Sequence, residues 1–103
     1  MQPIFRGEDI RTDFTVTASA EELDRDFSGS TFRIDLCAPG AVEPTATHVV
    51  DVVSAATPGE VTLHLDLGAD DTLALASVNH TYKLWCIEGE LEQVLDYGTL
   101  PVI

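Results

Sequence analysis

Along most of this chain, apolar residues fall on every second position. Val61, Leu63, Leu65 and Leu67 alternate with polar residues in the stretch 59–67. A period of two marks a strand with one buried and one wet face. The same pattern predicts a first strand over residues 10–18, with Ile10, Phe14, Val16 and Ala18 on one face and Thr12 as that face's polar member. A second strand over 31–36 sets Phe32, Ile34 and Leu36 against Thr31, Arg33 and Asp35. A third, over 47–54, is a nearly continuous apolar run broken by Asp51. Such a run predicts burial on both faces, or a partner covering the outer one. A fifth strand over 81–87 opposes Tyr82, Leu84 and Cys86 to Lys83, Trp85 and Ile87.

Turn chemistry separates these segments. Ser28-Gly29-Ser30, Ala38-Pro39-Gly40, Thr57-Pro58-Gly59 and Glu88-Gly89-Glu90 each break a periodic run. Residues 91–97 predict a sixth strand of ambiguous parity, Gly98 a kink or bulge, and 99–103 a last strand with Pro101 marking an edge. Asp70 or Asp71 is placed to cap one helical turn that lays Leu73 and Leu75 against an open end of the core. Ser19 and Glu22 have capping-box spacing, so the acidic excursion 21–26 is a loop tip or one helical turn. About seven short strands with at most one short helical turn predict an all-β protein, an immunoglobulin-like antiparallel β-sandwich. Residues 1–103 are read as one domain, with 1–8 either a docking arm or an ordinary edge strand.

Charge narrows the classes of partner. Five Lys and Arg against 18 Asp and Glu give a net charge of -13. A phosphate backbone and an anionic membrane surface are both repelled by such a chain. No apolar run is long enough to span a bilayer, and the N-terminus lacks a basic, then apolar, export signal. Folding in a cytoplasm is the expectation, with Cys37 and Cys86 reduced; a bridge between them stays open because both lie on strands.

The chain shows no convincing catalytic constellation. His48, His64 and His80 lack the close spacing that aims two imidazoles at one ion, and read as surface or rim residues. Ser28-Gly29-Ser30 is not a nucleophile elbow. Asp24, Asp26, Asp70 and Asp71 lack the calcium-loop pattern and read as solvated acids. No Gly-rich phosphate loop occurs. No enzyme activity, cofactor or metal is therefore expected.

The candidates left are for docking. Ile4 and Phe5 lie outside any clear strand, and Val49, Val50, Val52 and Val53 form the apolar run of the third. Trp85 either fills the core or, if the Tyr82 face is inward, makes an exposed apolar pair with Ile87.

The order of segments also resembles a known group. Phe5-Arg6-Gly7-Glu8-Asp9 before Asp13-Phe14-Thr15-Val16-Thr17 resembles the openings of small virion proteins of tailed bacteriophages. Residues 26–36 (Asp-Phe-Ser-Gly-Ser-Thr-Phe-Arg-Ile-Asp-Leu), Gly59-Glu60-Val61-Thr62-Leu63, Asp70-Asp71-Thr72-Leu73, Tyr82-Lys83-Leu84 and Gly98-Thr99-Leu100-Pro101-Val102 follow in the group's order. The acidic insert 21–26 and the two cysteines depart from it. The resemblance implies an immunoglobulin-like sandwich, similar to the N-terminal domains of baseplate upper proteins. It implies a structural part of a virion, folded in the host cytoplasm and held by other phage proteins as a tail or baseplate adaptor. Size and acidity suit a capsid cement or decoration protein equally, as a homo-oligomer on the particle with the valine run at its contact. The rival expectation is a carbohydrate- or calcium-binding module of a host-recognition fibre.

Overall fold

The alternating segments form strands where the pattern places them. A computed structural model describes residues 3–18, 21 and 24–103. Its strands are β1 (Ile10–Thr17), β2 (Thr31–Cys37), β3 (Ala46–Ser54), β4 (Glu60–Leu67), β5 (Asn79–Glu88) and β6 (Leu91–Pro101), with one helix, α1 (Ala69–Leu73), between β4 and β5. The protein is all-β, as expected. All its named strand pairs are antiparallel, and they join in one continuous order, β1-β4-β3-β2-β5-β6.

The sheet curls through β3. Ala46 to Val50 pair with β2, whereas Asp51, Val52 and Ser54 pair with β4, with a register shift between Val52 and Ser54. A bulge of this kind bends a strand and increases its twist. Where the sequence predicts an immunoglobulin-like sandwich, the described strands form one curled sheet. The core lies inside the curl. Val61, Leu63, Leu65 and Leu67 of β4 meet Phe32, Ile34 and Leu36 of β2 and Leu84 and Cys86 of β5, all buried. Phe27 packs on Phe32 with ring centroids 6.1 Å apart and seals one end.

The expected sixth and seventh strands are one strand. β6 runs through Gly98 without a break, and its extra residue is Leu95, between the pairs Leu84–Asp96 and Trp85–Val94. Gly89, with φ +62°, opens the two-residue turn joining Glu88 to Leu91. The primed turns that match strand twist need that sign of φ.

α1 occupies the predicted helical turn. The Asp71 carboxylate accepts from the Gly68 N–H at 3.0 Å, and the Asp9 carboxylate accepts from the Ala69 N–H at 2.8 Å. Thr72 and Leu75 are buried, but Leu73 is exposed, against expectation, because it stands about 100° round the helix from the inward Thr72. The capping box at Ser19 and Glu22 lies outside the described residues.

Candidate functional site

The strand order leaves two edges, β1 and β6, with no strand partner on their outer sides among the described residues. The curl brings these edges to the same place. A cleft of about 600 Å³ opens between them. Ile10, Thr12, Phe14 and Val16 form one wall, and Leu95, Asp96 and Leu100 the other. Leu65, Leu67, Tyr82 and Leu84 form its floor.

The N-terminal segment laces one end of this seam. The Ile4 N–H donates to the Pro101 carbonyl at 3.0 Å, the Ile103 N–H to the Ile4 carbonyl at 2.9 Å, and the Arg6 N–H to the Ile103 carbonyl at 3.0 Å. Ile4 bridges Val102 in parallel, and both are buried. Residues 3–6 therefore behave as the ordinary edge segment of the two expectations. Of the two docking candidates in the arm, Ile4 is core and Phe5 is exposed. Met1 and Gln2 lie outside the described residues.

The cleft is apolar apart from a few groups. The Tyr82 hydroxyl donates to Asp96 Oδ2 at 3.2 Å, and the Tyr97 N–H donates to Asp96 Oδ1 at 2.9 Å. Burial, and after it the neighbouring Asp96 charge, pushes the Tyr82 phenol above its ordinary range. Asp96 has no cationic partner among the described residues. Phe14, which lines the cleft, is half-buried. The sequence pattern missed this site. Its one signal was Asp96 interrupting a strand of unclear parity, and the bulge at Leu95 explains that ambiguity.

The docking candidates of the third strand split by parity. Val50 faces inward, pairs with Phe32 and is buried, which corrects its place in an interaction surface. Val52 lies opposite Leu63 and remains partly exposed. Val49 and Val53 face out, 76% and 54% exposed, with nothing over them among the described residues. The expected burial on both faces does not occur.

Trp85 is not in the core. Tyr82, Leu84 and Cys86 take the inward face, which leaves Trp85 and Ile87 outside, each half-buried. The Arg33 guanidinium lies 5.3 Å from the Trp85 ring centroid and 3.1 Å from Glu92. Arg33 Nε is 3.3 Å from Asp35, itself buried and receiving the Thr47 hydroxyl at 2.9 Å. The Trp85 Nε1–H has no hydrogen-bond partner among the described residues. This side chain is a roofed part of the outer face, not the free anchor that its exposure would have made it.

The histidines also divide. His64 sits opposite Asp13 across β1 and β4 and bonds to its carboxylate. His48 is half-buried, facing Ile34. His80 is 1% exposed and its Nδ1 lies 3.0 Å from the Val78 carbonyl, so it is a core residue, not a rim one; its inward parity opposite Leu100 puts it there. No group of three or more His, Cys, Asp or Glu side chains arranged for a metal occurs among the described residues.

Both cysteines are free. Cys37 pairs with Thr81, and Cys86 with Phe32, five positions further along the β2–β5 ladder. That is roughly 17 Å of strand, far beyond disulfide reach. At the Cys86 end, Glu88 accepts from the Ser30 hydroxyl at 2.8 Å and from Arg25 at 3.0 Å. The Ser30 hydrogen bond and then Arg25 hold the Glu88 carboxyl below its ordinary range, and burial pushes the Cys86 thiol up.

No family model and no curated protein sequence matches this chain.

Proposed function

We propose that this protein is a non-enzymatic structural component that docks on other proteins of a tailed-phage particle, as a tail or baseplate adaptor or as a capsid cement protein. The observation that carries the docking part is the exposure of Val49 and Val53 on β3, two apolar side chains that stand on either side of the exposed Asp51. Exposed apolar side chains lower the free energy when a second surface covers them. What supports the virion part is the order of segments that the chain shares with small tailed-phage proteins. The net charge of -13 keeps unassembled copies apart and suits a partner with a basic surface. Many copies on a repeating lattice multiply weak contacts through avidity.

The test is gold-antibody labelling of purified virions of the phage or prophage that encodes the chain. Label over the head identifies a cement protein, and label at the tail tip a baseplate adaptor. Intact particles that stay unlabelled, with the epitope shown to be accessible, would refute the virion reading.

A further inference from the structure

We infer that the cleft between β1 and β6 is an acceptor for one extended segment of a partner protein, which pairs with the free edge of β1, sets alternate apolar side chains into the cleft and brings a Lys or Arg to Asp96. This deepens the docking reading by naming a second contact and the chemistry of what fills it.

Three observations lead here. First, β1 is the more open of the two edges. Proteins blunt free edges with Pro, charged side chains or bulges. β6 carries a bulge at Leu95 and Pro101, and Ile4 covers its end, whereas β1 has neither Pro nor bulge, and its charged residues Arg11 and Asp13 are engaged with Asp66 and His64 of the neighbouring β4. An edge of eight residues, roughly 26 Å long, is a template for another strand.

Second, the edge opens on an apolar space. Thr12, Phe14 and Val16 line the cleft, and Thr15 and Thr17 border it although the Thr15 hydroxyl bonds to Thr62 on the outer face, so the cleft reaches the rim of β1. An added strand there would form main-chain hydrogen bonds and bury every second side chain, the two elements of β-augmentation. A compact apolar ligand would cover Phe14 and Leu95 but leave the β1 amides and carbonyls without partners.

Third, charge selects the occupant. Two copies of this chain pairing through β1 would bring together two bodies of net charge -13, which repel. Asp96 lies in the wall with no cationic partner among the described residues. A foreign strand carrying Lys or Arg fits where a second copy does not.

The experiment is selection of random peptides about twelve residues long, enough to span the edge, on the whole protein, followed by NMR mapping of the enriched peptides. The expected result is alternating apolar residues with at least one Lys or Arg, cross-strand contacts to residues 12–16, and slowed amide exchange there. Asp96→Lys, checked for folding by its amide spectrum, should weaken such peptides about fivefold at low salt. N-methylation of the peptide on its pairing edge should abolish binding. The inference is overturned by no enrichment, by enriched peptides without alternation, or by mapping to Val49 and Trp85. It is equally overturned if sedimentation shows a β1-paired dimer, or if a fatty acid occupies the cleft and peptides do not. Unlabelled virions with a cleft that still binds peptides would refute the phage assignment alone. Labelled virions with an inert cleft would refute only this inference.

Discussion

The Tyr82 ring lies over Gly98 so closely that a Cβ at position 98 would stand 2.9 Å from Tyr82 Cε1. The two residues are partners across β5 and β6. Gly98 is thus required by a close approach and not by a bend. Gly98→Ala is expected to cost about 1–3 kcal/mol, the usual range for overpacking, read from urea unfolding midpoints at constant m. In a Tyr82→Ala background the same change should cost far less, because the clashing ring is gone. Equal costs in both backgrounds would show that the ring is not the cause.

Thr72 ties α1 to the N-terminal segment. Its hydroxyl donates to the Glu8 carbonyl at 2.8 Å and accepts from the Gly7 N–H at 3.0 Å, and the side chain is fully buried. Thr72→Val keeps the shape and strands both backbone groups. A loss of about 1–3 kcal/mol is expected. Hydrogen exchange should rise first at Gly7. Unchanged exchange there would separate α1 from the lacing of the seam.

Glu88 gives the fold an acid-sensitive end. Its carboxyl titrates lower folded than unfolded, through Ser30 first and Arg25 second. Its contribution is therefore complete above the unfolded carboxyl range, near pH 4.5, and is lost as pH falls through the lower folded value. Glu88→Gln should flatten the fall of melting temperature below about pH 5, and Ser30→Ala should do so in part. A variant whose acid limb overlays that of the parent would place the acid sensitivity elsewhere.

Tyr82 should report on the cleft at alkaline pH. Its raised pKa means that the neutral phenol is favoured in the fold, so its contribution is present below the unfolded value and is lost as pH rises through the folded one. In a Tyr97→Phe background, absorbance of the remaining phenol should titrate above the ordinary value of 10.0. Asp96→Asn removes the lesser causes and should lower that midpoint. A midpoint indifferent to Asp96 would leave burial as the whole cause.

Val49 and Val53 separate stability from docking. Val49→Lys with Val53→Lys should change stability by no more than about 0.5 kcal/mol, since both side chains already meet solvent. The same pair should abolish incorporation into particles when supplied in trans. Normal incorporation would remove the outer face of β3 from the assembly contact.

Strand positions, the helical turn after β4 and the inward face of β4 were legible because the period of two and the turn residues are local signals. Phe32, Ile34, Leu36 and the Val61 to Leu67 stripe needed no tertiary information. Phe27 and His80 were not legible as core residues, since one follows an irregular loop and the other begins a strand, and burial there depends on what folds over them. The side taken by Trp85 was undecidable from alternation, because both faces of β5 are apolar; the inward claim of Tyr82, Leu84 and Cys86 settled it.

What the sequence by itself determined was the all-β class, the turns, the acidity and the alternation of each strand, all set by residues near one another along the chain. The tertiary structure alone decided that the strands make one curled sheet, that Val50 is core while Val49 is surface, that Cys37 and Cys86 stand far apart, and that β1 and β6 face each other across an apolar cleft. Strand order and register join residues distant in sequence. Which edges remain unpaired is a property of the closed arrangement, and no single segment encodes it.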